Sequence, residues 1–123
     1  RTMFTLELEK KLQQKHYETI AVSCHPGVTL TNLSRFMPKI LGNSILTKIM
    51  NTLVFHTPYK AAMPALMATT SSNVKGGEFL GLNTKKQYRG RPKVVQPNQM
   101  ACDKSLREIL WRKSVEITGV DLV

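Results

Sequence analysis

The sequence predicts an α/β fold built on a parallel sheet, and three observations support this. Helical and strand-like patterns follow one another in the order helix, strand, helices, strand, helix, which is typical of a sheet with crossover connections. Residues 19–25 are apolar and β-branched without strict alternation, as in a strand covered on both faces. The 123 residues, 41% hydrophobic and 21% charged, suit one soluble globular domain.

The first elements are a helix and a strand. We expect residues 1–16 to form an amphipathic helix, because apolar residues recur there at four-residue spacing: Phe4, Leu8 and Leu12. Residues 19–25 should form the strand, which Pro26 and Gly27 end. The following residues, 30–55, combine apolar helical spacing with a glycine break, and they predict one or two short helices.

The next helix has a clear start. Thr57 is an N-cap residue, and Pro58 suits the first helical position. The apolar face continues through Tyr59, Met63, Leu66, Met67 and Thr70. Pro64 cannot donate a backbone hydrogen bond, so a bend is expected there.

The last third of the chain predicts a strand, a loop and a helix. Residues 76–82 form the second short strand, and residues 92–100 form an extended loop. Asp103 caps the last helix and Gly119 ends it. The apolar positions of that helix are Leu106, Ile109, Leu110 and Ile117.

Charge and cysteine content limit the classes of function. A net charge of +10 raises nucleic acid, an anionic membrane surface or a phosphate-bearing ligand as partners. The densest basic stretch, residues 85–93, is nevertheless more typical of a solvated loop. Cys24 and Cys102 match no zinc or redox spacing, which favours a reduced, cytoplasmic setting. No apolar run has the length of a membrane span, and no metal site is predicted.

Cys24 and His25 are adjacent, which argues against a nucleophile with its base. Neighbouring strand residues point to opposite faces, so their side chains cannot hydrogen-bond to each other. We therefore expect a buried cysteine and a strand-end histidine. The stretch GGEF, residues 76–79, is similar to a nucleotide-cyclase signature, but an acidic residue is missing and a simple turn is favoured.

The turn after the first strand is the remaining candidate site. Ligands of open α/β sheets bind beyond the carboxyl ends of strands, and Pro26-Gly27 leaves room there for backbone groups to reach a polar ligand. A threonine hydroxyl could add a hydrogen bond. From the residues alone, a ligand site and a plain turn both remain open.

Several segments in correct order carry a family resemblance. The stretches MFTLELEKKL, IAVSCHPGVTLTNL, KGGEFLGL, RGRPKVV and LREILWRKSVEITGV resemble the C-terminal half of short-chain dehydrogenase/reductases. The resemblance is strongest to the branch of retinol-dehydrogenase-like NAD(P)-dependent oxidoreductases, and it covers nearly the whole chain. It implies the C-terminal part of a Rossmann-type parallel sheet, with two strands and flanking helices, incomplete as a fold on its own.

The resemblance also implies a site. The family motif Pro-Gly-x-x-x-Thr receives the nicotinamide of NAD or NADP, and it matches Pro26, Gly27, Val28 and Thr31. Residues 32–56 would form the substrate loop and lid. An apolar alcohol or carbonyl substrate would contact Phe36, Met37, Ile40, Leu41 and Ile45. The family also implies a homo-oligomer, such as a dimer.

The chain departs from the family in its catalytic apparatus. The Gly-rich cofactor turn, the catalytic serine and the Tyr-x-x-x-Lys pair are absent from residues 1–123, so this chain alone is predicted to be inactive. Two alternatives remain: a non-catalytic module that self-associates or complements a partner, and a basic domain that binds nucleic acid.

Overall fold

The computed structural model describes residues 1–29, 57–84, 86–88 and 90–122. It is a mixed α/β structure whose elements begin and end as follows: α1 Thr2–Gln14, β1 Ser23–Cys24, α2 Pro58–Thr70, β2 Phe79–Leu82, β3 Pro92–Val95, α3 Gln99–Cys102 and α4 Lys104–Thr118. The α/β class predicted from the sequence is therefore confirmed in this general form.

The strands form one small sheet in the order β1-β2-β3. β1 and β2 run parallel, because the Ser23 N–H donates to Glu78 O at 3.1 Å and the His25 N–H donates to Leu80 O at 2.8 Å. The prediction of two strands is wrong, since β3 lies where an extended loop was expected. Its proline occupies the first strand position, which a strand tolerates.

The first strand is also shorter than predicted. Only Ser23–Cys24 is a strand, against the expected residues 19–25. β1 lies at the edge of the sheet among the described residues, and Cys24 is exposed. The expectation of a buried cysteine is thus wrong, because strand side chains project from the faces of the sheet and the structure leaves the Cys24 side chain uncovered.

The chain forms two compact units. Unit 1 contains residues 1–23, 71–79 and 94–123, and unit 2 contains residues 24–70 and 80–93.

Unit 1 is organised by the contact between α1 and α4. Phe4 stacks on Trp111 with ring centroids 4.8 Å apart, and Lys11 Nζ lies 5.0 Å from the Trp111 ring centroid. The indole N–H of Trp111 donates to Asp121 Oδ1 at 3.3 Å. Trp111 is buried, so it anchors the face of α4 that meets α1.

Charged side chains reinforce the same contact. Lys10 Nζ donates to Glu108 Oε1 at 2.7 Å and to Glu7 Oε1 at 3.1 Å. The hydrogen bond to Glu108, followed by the one to Glu7, raises the pKa of Lys10. The same ammonium group lowers the pKa of Glu108 through their hydrogen bond. The Lys10–Glu108 pair is largely solvated, so it adds little stability to the contact between α1 and α4, whereas the Glu7 side chain is buried within this contact.

A buried carboxylate holds the chain that leads into β1. Glu9 is only 6% exposed, and its Oε2 accepts the Ala21 N–H at 2.7 Å. Gln13 donates to Glu9 Oε1 at 2.8 Å. A Cβ at Gly76 would overlap the carboxylate of Glu9, so glycine is required at this close approach.

Unit 2 has its own core. Among the described residues, its largest fully buried side chains are Leu80, Leu82 and Pro64. α2 continues through Pro64 to Thr70, so the proline lies inside the helix and its ring is used in packing. The sequence placed the start of this helix correctly.

Candidate functional site

The segment that follows β1 contains the Pro-Gly pair that the sequence singles out as a candidate site. The His25 N–H bonds to Leu80 O, which fixes the carboxyl end of β1 beside β2. Gly27 then has φ of +79°, a left-handed conformation that glycine adopts without strain. Pro26 is exposed, whereas Gly27 and Val28 are partly buried. The Pro-Gly pair therefore follows the end of a parallel strand in an irregular conformation, with the left-handed residue at Gly27 and no tight turn.

The turn contacts the loop that joins β2 to β3, residues 83–91. The Val28 N–H donates to Tyr88 O at 3.0 Å. By resemblance, the backbone of Val28 would meet the carboxamide of a cofactor, and its N–H already has an acceptor within the chain. The assignment of Pro26, Gly27 and Val28 to a cofactor stays a prediction.

The same loop is ordered by its own hydrogen bonds. The Asn83 N–H donates to Arg91 O at 3.0 Å, and the Arg91 N–H donates to Asn83 Oδ1 at 2.9 Å. The Gln87 N–H donates to Thr84 O at 3.0 Å, and Gln87 itself has φ of +49°. These bonds hold Gln87 and Tyr88 beside the turn.

Two buried polar atoms belong to residues that are adjacent in sequence to Val28 and Tyr88. Thr29 Oγ1 and Gln87 Oε1 are buried and have no hydrogen-bond partner in the described part of the chain. Sequence reasoning included Thr29 in the candidate segment without assigning it a role, and it missed Gln87. The one available signal was the basic character of residues 85–93, which says nothing about which side chain faces the turn.

The remaining predicted site residues lie outside the described residues. They are Thr31, assigned to the cofactor, and the substrate-binding set Phe36, Met37, Ile40, Leu41 and Ile45.

The other candidates have structural explanations. Gly77 has φ of +80°, and its N–H donates to Ala21 O at 2.8 Å. Glu78 Oε2 accepts the Lys75 N–H at 3.0 Å. The Gly-Gly-Glu-Phe stretch is thus a turn into β2. Residues 1–29, 57–84, 86–88 and 90–122 contain no group of three or more side chains suited to hold a metal ion.

Unit 1 contains an apolar cavity of about 340 Å³ between α1, α4 and the C-terminal tail. Its lining residues are Phe4, Trp111, Ser114, Val115, Thr118, Val120 and Leu122. The hydroxyl of Ser114 donates to Leu110 O at 2.8 Å, and that of Thr118 donates to Ser114 O at 2.7 Å. Both hydroxyls are therefore already bonded to the helix backbone. Within the described residues, no helix has the length and apolar character needed to cross a membrane.

Comparison with known proteins gives one structural likeness. No protein-family model and no curated protein matches the chain. The crystal structure of an uncharacterized protein from Mycobacterium paratuberculosis is similar, with a TM-score of 0.65 at 22% sequence identity. The alignment covers 99% of this chain and 37% of that chain. At this identity the likeness shows the fold alone, and this chain spans little more than a third of that protein's length.

Proposed function

We propose that the chain is the C-terminal part of an NAD(P)-dependent oxidoreductase, of the short-chain dehydrogenase/reductase kind, that acts on an alcohol or carbonyl substrate. The observation that carries the proposal is the turn after β1. It follows the carboxyl end of a parallel strand, where ligands of α/β sheets bind, and Gly27 takes the left-handed conformation that lets the backbone approach a ligand.

The proposal also implies that the described strands belong to a Rossmann-type sheet. β1 and β2 would be two neighbouring strands of a larger parallel sheet. The described β1 is an edge strand, and an edge of this kind can pair with a further strand. The solved structure supports this view, because the chain aligns over 99% of its length with 37% of a longer protein.

The residues present determine which parts of the reaction this chain would contribute and which would come from the cofactor or from other residues. The bound NAD or NADP would accept or supply the hydride. Pro26, Gly27, Val28 and Thr31 would orient its nicotinamide, and the apolar residues of 32–56 would exclude water from the substrate. A general acid with a tuned pKa is needed to protonate a carbonyl oxygen, and the Tyr-x-x-x-Lys pair that supplies it in the family does not occur in residues 1–123. We expect that group to come from chain outside these residues.

The test compares residues 1–123 with the protein made from the complete reading frame. We expect NAD(P)H oxidation with aldehydes or ketones from the latter and none from the former. In the active protein, Gly27→Ala should raise KM for the cofactor about tenfold, because alanine is strained at this φ and shifts the turn.

Gly119→Ala is the matched control. Gly119 also has a left-handed φ, of +69°, but it ends α4, and a Cβ at this position would meet no atom within 4 Å. Both variants should lose similar stability, and only Gly27→Ala should change the KM. Equal KM effects, or a reading frame without a Gly-rich turn and a Tyr-x-x-x-Lys pair, would contradict the proposal.

A second candidate function is a non-catalytic module that self-associates. The supporting observation is a stripe of exposed apolar residues on α4, made of Leu106, Ile109, Leu110 and Ile117. Such a stripe is typical of a protein interface. The association state in solution tests this candidate, because a module of this kind should not remain monomeric.

A further inference from the structure

The positive charge of the chain is concentrated in unit 2. All eight acidic residues lie in unit 1, whereas the eighteen Lys and Arg residues divide equally, with nine in each unit. Unit 2 therefore contains no carboxylate side chain, and it carries nine of the ten net positive charges. A charge difference of this size between two parts of one chain is typical of proteins that bind a polyanion.

The cations of unit 2 are densest in one loop. Five of the nine occur in residues 85–93, which lie between β2 and β3 or begin β3. We call residues 83–93 the basic loop. Its described cations, Lys86, Arg91 and Lys93, are all exposed. Because no acidic residue occurs in the basic loop or elsewhere in unit 2, this charge is not neutralised within the unit.

Hydrogen bonds fix the shape of the basic loop. The Asn83 N–H donates to Arg91 O, and the Arg91 N–H donates to Asn83 Oδ1, which closes the base of the loop. A Cβ at Gly90 would overlap the Asn83 amide oxygen, so the chain is closely packed at this closure. Tyr88 O accepts the Val28 N–H at 3.0 Å, which ties the loop to the segment after β1. An ordered loop loses less conformational entropy when it binds a ligand.

An exposed aromatic side chain accompanies the cations. Tyr88 is 48% exposed, and it lies between Lys86 and Arg91 in the sequence of the loop. An exposed aromatic ring can stack on an unpaired base while neighbouring cations contact phosphates, and this combination binds single strands with little dependence on sequence. A base inside a duplex is already stacked on its neighbours, so the presence of Tyr88 favours a single strand.

The composition of the basic loop favours nucleic acid over a lipid surface. Residues 83–93 contain no aliphatic side chain of the kind that inserts among acyl chains, apart from the ring of Pro92. Apart from Gly90 and Pro92, every residue is Asn, Thr, Lys, Gln, Tyr or Arg. These are the residue types whose side chains contact phosphates and sugars in nucleic-acid complexes.

We infer that the basic loop binds single-stranded nucleic acid, with Tyr88 stacked on a base and with Lys86, Arg91 and Lys93 contacting phosphates. The inference does not rest on the proposed function, because it needs neither the nicotinamide cofactor nor a catalytic group. It accounts for the charge of unit 2, which the oxidoreductase proposal leaves unexplained.

The experiment measures fluorescence anisotropy with the protein made from the complete reading frame. The probes are a labelled single-stranded oligonucleotide of about 15 nucleotides and the duplex formed with its complement. The Kd of the single strand should rise at least about tenfold between about 50 and 200 mM salt, because three or more phosphates are neutralised. At the higher salt concentration the protein should prefer the single strand, since stacking on Tyr88 is less sensitive to salt than the phosphate contacts.

Matched variants locate the site. Tyr88→Leu removes the flat ring and should raise the Kd of the single strand about tenfold. Tyr17→Leu makes the same change at a tyrosine of unit 1 that is 55% exposed, and it should leave this Kd unchanged. Arg91→Gln removes one cation and should reduce the slope of log Kd against log salt by about 0.7. Arg112→Gln, at an exposed arginine of unit 1, should leave that slope unchanged.

The outcomes separate the basic loop from its alternatives. No binding of the single strand at about 50 mM salt, or equal effects of Arg91→Gln and Arg112→Gln, overturns the inference. Binding to phosphatidylserine vesicles without binding to the single strand also overturns it, in favour of a membrane surface. If Arg91→Gln fails to fold, Lys86→Gln tests the same slope, because the Lys86 backbone takes no part in the bonds that close the loop. The oxidoreductase proposal is unaffected by each result, since NAD(P)H oxidation is measured separately.

Discussion

The close approach of Gly76 to Glu9 leads to a prediction at the residue scale. A Cβ at position 76 would occupy the space of the Glu9 carboxylate, and that carboxylate accepts the Ala21 N–H at 2.7 Å. Gly76→Ala should therefore displace Glu9 and leave a buried backbone donor unpaired. We expect a loss of about 2–3 kcal/mol in the free energy of unfolding, measured by urea denaturation.

A double-mutant cycle provides the control. Glu9→Ala removes the carboxylate and makes room for a Cβ at position 76. If the two residues are coupled as described, Gly76→Ala should cost much less in the Glu9→Ala background than in the unaltered chain. Additive losses would show that the glycine is needed for another reason.

The candidate site shows how far single residues can be predicted. The Pro-Gly pair at 26 and 27 correctly predicts that β1 ends before it, and Gly27 takes a positive φ that glycine adopts without strain. Gln87 could not be predicted, since its burial depends on a loop meeting a turn roughly sixty residues earlier in the chain. Residue type therefore predicts local conformation. Contacts between segments that are distant in the sequence can be identified only once the fold is known.

At the scale of elements, the N-cap of α4 gives a prediction that depends on pH. Asp103 Oδ1 accepts the Ser105 hydroxyl at 2.6 Å and the backbone N–H groups of Ser105 and Leu106 at 2.9 and 3.2 Å. The hydrogen bond from the Ser105 hydroxyl, followed by that from the Leu106 backbone, holds the pKa of Asp103 below its ordinary value of 3.8. The charged form is thus the one that caps the helix.

The sign of the pH effect follows from that lowered pKa. Stabilisation by Asp103 is fully present above pH 3.8, and it is lost as the pH falls through the lower pKa of the folded state. Asp103→Ala should lower Tm by a few degrees at pH 7, and the difference from the unaltered chain should shrink progressively as the pH falls below 3.8. Circular dichroism at 222 nm is a suitable measurement, since the signal reports helix content.

Asp103→Asn separates the cap from its charge. Asparagine caps helices about as well as aspartate but does not titrate. The variant should keep most of the stability at pH 7 and lose the pH dependence that belongs to this position. A Tm difference between the unaltered chain and Asp103→Ala that is the same at pH 7 and pH 2.5 would contradict the assignment.

The helices were more predictable than the strands for a physical reason. Thr57-Pro58, Asp103 and Gly119 mark helix ends through local hydrogen bonds and backbone preference. The start of α2 and both ends of α4 lie within a residue of these signals. β3 was missed because Pro92 looks like a loop residue, and it becomes a strand only by pairing with β2.

The whole molecule shows the limits of apolar pattern as a guide to burial. The sequence identifies the apolar stripe of α4, yet the structure buries Trp111 on another face of that helix. Leu106, Ile109, Leu110 and Ile117 are exposed, with 82% of Ile117 accessible. The apolar pattern predicted one face of α4, and the position of α1 decides that the face with Trp111 is the covered one.

The exposed stripe of α4 predicts association that strengthens with salt. Four apolar side chains share one face of the helix, and burying them would be favourable. The net charge of +10 opposes contact between copies at low ionic strength, and salt screens this repulsion. Light scattering after size-exclusion chromatography should therefore show a larger mean mass at 500 mM than at 50 mM salt. Nucleic-acid binding would show the opposite trend, because counterion release weakens it as salt rises.

A matched pair of variants locates the interface. Ile109→Lys places a charge within the stripe, and Gln96→Lys adds the same charge at an exposed residue outside it. Ile109→Lys should raise the dissociation constant of the self-associated form at least about tenfold, because a lysine ammonium group is costly to bury. Gln96→Lys should change it much less. A monomer at every salt concentration, or equal effects of the two variants, would remove the support for a self-associating module and leave the oxidoreductase proposal unaffected.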